Sequence, residues 1–407
     1  MTSKTSFWIL GVLWLSASAA WAQESIAIRG GRVITMAGPV LENGTVLIRD
    51  GKIAAVGTDV KVPVEARVID ANGKVVMPGF VEAHSSEGMT RSNETNPVVP
   101  YLSVLDTVDP MRSYFEDARR NGTTTVAVVP ANRTMIGGQA AILKTGPDFV
   151  DAMILRREAG IKISFEPQGN ASRMGHLAAL RKELADAKKA ASEKPKEGEE
   201  APQSPTDAAL EAAMKKLVQG EMPVFLYCDT AMDVAPALKL TEEYGFRPIL
   251  VLGRDCYKAA DQIAKAGLTV VLDPNLVFWE TDERTGEDRK IVVTEVFEKA
   301  GVPFTFQVDS GASTNLGANY LWYQAATAVK YGLPREKALE ALTILPARLL
   351  GVDRYVGSLE VGKEGDVIVL TGDPLEVQTW VETTICRGEV VYERANDAQL
   401  QRLLGGQ

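Results

Sequence analysis

Two histidines, His84 and His176, supply all the imidazole in this chain of 407 residues. His84 sits in the run Met77-Pro78-Gly79-Phe80-Val81-Glu82-Ala83-His84-Ser85-Ser86. A short apolar strand, residues 74–77, enters Pro78-Gly79, and an apolar pair then leads to the histidine. Side chains at i and i+2 of an extended segment point the same way, so two histidines so placed can grip one metal. Here the second position is Ser86, which is not a comparable ligand. His176 follows Arg173-Met174-Gly175 at the start of a helical run. It is expected to be a surface or capping histidine.

The elements that must position such residues change character along the chain. From residue 25 to 76 the pattern is short strands and tight turns, with Asp50-Gly51 as a hairpin signal between residues 45–49 and 52–56. The middle alternates strand and helix. Strand-like runs fall at 123–129, 222–227, 248–252, 268–272 and 302–308. Helix-like runs fall at 111–120, 231–244, 257–266 and 320–331. Such alternation implies parallel strands with crossover helices, and its length favours a (β/α)8 TIM barrel over an open sheet. Residues 186–207 are charged and contain prolines, so they read as a mobile, solvated insertion, with Thr206 capping the helix that follows. After Gly351 strands return, at 366–370 and across 383–392, the latter turning at Arg387-Gly388. The aromatic run Tyr320-Leu321-Trp322-Tyr323 has helical spacing and reads as core.

Composition bounds the partners. The net charge is −9, which argues against nucleic acid and anionic lipid. Residues 1–22 have Lys4, an apolar stretch from Phe7 to Leu15 and Ala20-Trp21-Ala22, the layout of a cleaved secretory signal peptide. The expected location is therefore periplasmic or extracellular, with no integral membrane segment once the signal is removed. Cys228, Cys256 and Cys386 do not make a disulfide scaffold. Cys228 and Cys256 fall near the ends of adjacent expected strands and are the one plausible bridge, and three separate buried thiols are the alternative.

The chain resembles the amidohydrolase superfamily, within it an exported, imidazolonepropionase-related subgroup. The resemblance is carried by residues 77–84, Asn121-Gly122-Thr123-Thr124-Thr125, Ile136-Gly137-Gly138-Gln139, Ser172-Arg173-Met174-Gly175, Thr343-Ile344-Leu345-Pro346-Ala347, and the Gly357 to Asp366 segment. It implies an α/β fold: a barrel over residues 79–351, a small composite β-sandwich from residues 23–78 and 352–395, and a tail at 396–407. It implies hydrolysis of amide or cyclic amide C–N bonds by metal-activated water, acting on a small-molecule substrate or ligand. It places His84 on the first strand and Asp309 on the eighth, where the family has its proton-relaying Asp. Lys162 and Glu166 become candidates for a bridging ligand, with Lys162 carbamylated as in some relatives, or else salt-bridged to Glu166 or Asp229.

The same alignment sets Tyr227-Cys228-Asp229 and Leu252-Gly253-Arg254 where the family has histidines. Without them Cys228 lacks an activating base. His84, Glu166, Asp229 and Lys162 form the candidate metal set, with Asp309 as the catalytic carboxylate. Such an oxygen-rich set suits manganese, calcium or magnesium better than a zinc pair. The alternative for His84 is a former ligand bonded to Asp309. Two functions follow: a C–N hydrolase with an atypical divalent metal, or a non-catalytic relative serving as a binding or assembly module. A homo-oligomer is compatible with either.

Overall fold

The structure, a computed structural model, describes residues 25–193, 204–308 and 319–405. Asp309, the signal stretch 1–22 and residues 194–203 of the charged insertion lie outside those residues.

The chain opens with β1 (Ile26–Val33), β2 (Leu41–Arg49), β3 (Lys52–Gly57), β4 (Arg67–Asp70) and β5 (Val75–Pro78). Its other end returns as β16 (Val367–Leu370), β17 (Val381–Cys386) and β18 (Glu389–Glu393). They form one sheet in the order β18-β17-β16-β5-β1-β2-β3, with β4 also on β1. The sheet curls over a shared apolar core that includes Ile28, Val46, Ile48, Val367, Val369 and Ile385. Both expected hairpin turns form, with Asp50-Gly51 and Arg387-Gly388 all at positive φ. That geometry matches the right-handed twist of the strands it joins. The two turns meet through Gly365, whose N–H donates to Gly51 and whose carbonyl accepts from Gly388.

Gly79 leads from this sheet into the barrel. A Cβ there would sit 2.3 Å from the Thr124 side chain, so only glycine lets the two strands approach. The barrel strands are β6 (Phe80–Ser85), β7 (Thr123–Val128), β8 (Ile136–Lys144), β9 (Ile154–Ser164), β10 (Pro223–Cys228), β11 (Arg247–Leu252), β12 (Val270–Val271) and, after a hairpin of β13 (Val277–Thr281) and β14 (Asp288–Val292), β15 (Phe304–Thr305). They pair in the order β15-β12-β11-β10-β9-β8-β7-β6, and helices cover the outside. This is the α/β (β/α)8 barrel. One stave departs from the expected parallel run: β8 is antiparallel to both neighbours. Short loops rather than crossover helices join it on both sides, and short connections require antiparallel pairing.

Two local expectations are corrected. Residues 186–192 are not loop. They extend the helix Arg173–Ser192, helped by the Lys182–Asp186 pair at 2.8 Å. The next helix, Pro205–Val218, is capped by Ser204, not Thr206, because Pro205 takes the first helical position and Ser204 Oγ accepts from the Asp207 N–H. The end of the chain is also helical, Ala398–Gly405, since the Asp397 carboxylate accepts from the N–H groups of Gln399 and Leu400.

Candidate functional site at the barrel mouth

Active sites of this architecture lie at the C-terminal ends of the strands. His84 is next to last in β6. A bulge sits just there: Glu82 pairs with Val126 and Ser85 with Val128, so three steps on β6 match two on β7. Bulges re-aim side chains. His84 points to the barrel interior, its ring centroid 6.4 Å from that of Phe225.

Two contacts fix the imidazole. Its Nδ1 lies 2.7 Å from Gln307 Oε1, and its Nε2 lies 3.0 Å from Lys162 Nζ. Gln307 Nε2 donates to the Leu272 carbonyl, which leaves Oε1 facing the ring. An amide oxygen only accepts, so Nδ1 carries the proton and the Nε2 lone pair faces Lys162. Burial, then the nearby Lys162 charge, push the His84 pKa well below its ordinary value, so the ring is neutral.

Lys162 is fully buried near the end of β9. Among the described residues no carboxylate lies within 4.0 Å of it, so the expected salt bridge to Glu166 or Asp229 is not formed. Its Nζ sits 5.3 Å over the Tyr227 ring. Burial brings its pKa down to about 7, partly offset by the Glu166 charge. Near neutral pH this amine is therefore both donor and acceptor of protons.

The other candidate ligands, Asp229 and Glu166, make no hydrogen bond to this pair. Asp229 Oδ2 lies 3.4 Å from Arg173, whose guanidinium also pairs with Asp233. Glu166 is half-exposed, and burial followed by the Asp229 charge raises its pKa. His84 and Lys162 are brought together, while Glu166 and Asp229 are not turned onto them. Among the described residues no three His, Cys, Asp or Glu side chains converge as a metal would require. The described donors alone therefore make no divalent-cation site, and Asp309, the remaining candidate carboxylate, lies outside the described residues.

One further expectation changes, and of the two readings of the cysteines the separate buried thiols are found. His176 is buried, not on the surface, and its Nε2 donates to the Ser164 carbonyl at 2.8 Å. It ties the helix Arg173–Ser192 to the end of β9. Cys228, Cys256 and Cys386 are all free and buried. The Cys256 thiol donates to the Cys228 carbonyl at 3.1 Å instead of bridging. Burial pushes the Cys256 thiol up to about 12 and Cys228 well above its ordinary value, so neither is a thiolate nucleophile at neutral pH.

Sequence reasoning missed Gln307 and Glu82. Gln307 lies two residues before Asp309. Glu82 was legible only as a charge inside an apolar strand, two residues before His84. It is buried, its Oε1 accepting from the Val308 N–H at 3.0 Å and its Oε2 from the Tyr114 hydroxyl at 2.8 Å. Burial raises its pKa to about 8, against the lowering effect of those two bonds. β6 and β15 share no backbone ladder. Glu82 and the His84–Gln307 bond therefore carry the barrel across that seam.

A family model for the amidohydrolase family matches residues 174–391, more than half of the chain. The chain belongs to that family. Amidohydrolase tasK of Hapsidospora irregularis is 24% identical over 406 residues, covering 84% of this chain and 39% of tasK, so the chain spans well under half of that relative. An imidazolonepropionase of Brevibacillus brevis is 23% identical over 380 residues, covering 81% of this chain and 84% of the relative. Among solved structures, an amidohydrolase from Thermotoga maritima MSB8 superposes with a TM-score of 0.80 at 28% identity, covering 91% of this chain and all of that one. No helix among the described residues is long and apolar enough to cross a membrane.

Proposed function

We propose that this chain hydrolyses C–N bonds of amides or cyclic amides at the barrel mouth, with Lys162 and His84 handling the protons. Family membership supports C–N hydrolysis as the reaction class. The observation that carries the finer reading is the Lys162–His84 contact, with an amine brought to about 7 and, among the described residues, no carboxylate within 4.0 Å of it. In this reading the free amine of Lys162 takes a proton from water as the water oxygen attacks the carbonyl carbon. The resulting ammonium gives the proton to the departing nitrogen, and the C–N bond breaks. Water is consumed, and an acid and an amine are released. A base with a pKa near the working pH is well matched to this exchange. His84, held in one tautomer by Gln307, keeps the amine aligned.

A second reading, a non-catalytic binding or assembly module, is favoured by one observation: His84 and Lys162 are both buried. One experiment separates the two. Protein purified without chelator is assayed for metal content and against a panel of N-acyl amino acids and cyclic amides, beside Lys162→Met and His84→Ala. The hydrolase reading expects turnover of at least one amide, rising through an inflection near pH 7 and reduced about 100-fold or more in Lys162→Met. No turnover in any well-folded sample supports the module. Stoichiometric metal that is lost in both variants would replace the lysine base by a metal-dependent route.

We also infer export, on the signal-like layout of residues 1–22. A secreted or periplasmic product beginning at Gln23 is the expected result of N-terminal sequencing.

A further inference from the structure

A second concavity lies away from the mouth, beside Phe80, the residue that opens β6. It measures about 460 Å³ and is walled by segments from both the barrel and the curled sheet. Phe80, Tyr320, Trp322, Tyr323, Trp380 and Tyr392 line it. The run Tyr320 to Tyr323, expected to be core, is instead only partly buried except at Leu321. Tyr320 stacks on Trp322 at 5.9 Å, and Trp322 meets Tyr323 edge-on at 5.7 Å, so the rings form a fixed wall. The terminal helix Ala398–Gly405 completes the rim with Leu400 and Leu403.

The charged groups of this cleft are already engaged, Arg120 with Asp117 and Asp397, and Arg394 with an aromatic ring. Arg120 Nε donates to Asp397 at 2.8 Å, and its Nη atoms reach Glu116 at 2.9 Å and Asp117. The Tyr392 hydroxyl donates to Asp397 at 3.0 Å. The Arg394 guanidinium lies 4.3 Å over the Trp380 ring. A charged ligand would have to break one of these pairs, whereas an uncharged one need not. The volume falls within the roughly 300–1,000 Å³ of small-molecule sites, and aromatic walls favour flat partners.

We propose that this cleft binds a flat, uncharged, largely apolar small molecule. The site is separate from the His84–Lys162 pair and does not depend on the hydrolase reading. The concave wall, drawn from several distant segments, suits a small ligand better than a protein face.

The test is a fluorescence titration of the full chain with N-phenyl-1-naphthylamine, an uncharged aromatic probe. Saturable binding is expected, weakened roughly tenfold or more by Trp322→Ala. Val377 lines the cleft and is 67% exposed, so Val377→Glu should weaken binding similarly without moving the melting temperature. The anionic probe 8-anilinonaphthalene-1-sulfonate should bind more weakly than the uncharged one. Absence of saturation, equal affinity in Val377→Glu, or tighter binding of the anionic probe would each overturn the proposal. So would a concentration-dependent dimer that Val377→Glu dissolves, seen by sedimentation, since that assigns the face to a second copy.

Discussion

Two lysines in this barrel are completely buried, and they meet opposite fates. Lys144 ends β8 where the barrel meets the curled sheet. It donates to the Thr125 hydroxyl at 2.8 Å and is paired with Asp366 and, at 3.4 Å, with Glu364. Burial alone would depress its pKa, but Asp366, the Cys386 sulfur and Glu364 together leave it raised. Lys162, one strand over, has a histidine and a tyrosine ring for company, and burial wins. Burying a charge is tolerated only with a partner. Lys144 therefore fastens two parts of the fold as a cation, while Lys162 is left near neutrality, poised for proton transfer.

The largest expected effect tests the fastening lysine. Lys144→Met leaves Asp366 charged, 3% exposed and without its cation. A loss of about 3–5 kcal/mol in chemical denaturation is expected, partly recovered in the Lys144→Met, Asp366→Asn double variant. A loss below about 1 kcal/mol would erase the contrast. Lys162→Met removes an amine that has no ion pair among the described residues and relieves the penalty of burying it, so no loss of stability is expected near neutral pH. Equal destabilisation by the two substitutions would show that both lysines are structural.

The pH dependence sharpens the difference further. Between about pH 7 and the ordinary lysine value near 10.4 the unfolded chain holds a proton at Lys162 that the folded chain has released, so this lysine makes stability rise with pH. Below pH 7 its penalty is constant. Lys144, with its pKa raised, contributes stability that is lost only as pH climbs through its folded value. Stability curves of Lys162→Met should therefore lack the alkaline rise seen in the parent. The mirror-image effect belongs to Glu82. Its pKa near 8 means the folded chain holds a proton that the unfolded chain loses from about pH 4.5 upward, so stability falls between those values. Glu82→Gln should flatten that slope, and an unchanged slope would place the proton elsewhere.

Much of the architecture was legible because its signals are local. Strand–helix alternation and the Asp50-Gly51 and Arg387-Gly388 turns depend on nearest neighbours and on backbone sterics. The antiparallel β8 was missed because an apolar run carries no direction. It is the shortness of the loops on each side that sets it. Helix limits at 186–192 and at Ser204 were missed for a related reason, since charged residues form helix as readily as loop once i,i+4 pairs are available.

The candidate site divides along the same line. His84, Lys162, Glu166 and Asp229 were named through the family resemblance, and they fall at or just beyond the ends of β6, β9 and β10. Which of them touch was not in the sequence. His84 and Lys162 are 78 residues apart, and His84 and Gln307 are 223 apart, so only barrel closure makes them neighbours. Asp229, by contrast, was captured by Arg173 from the adjoining helix.

The order of residues by itself determined the class of fold, the scarcity of imidazole and the set of groups available for chemistry, because these follow from composition and short-range periodicity. The tertiary structure decided protonation and partnership. A lysine's charge depends on the dielectric and the carboxylates within a few ångströms of its Nζ, and those surroundings are assembled from residues that lie far apart along the chain.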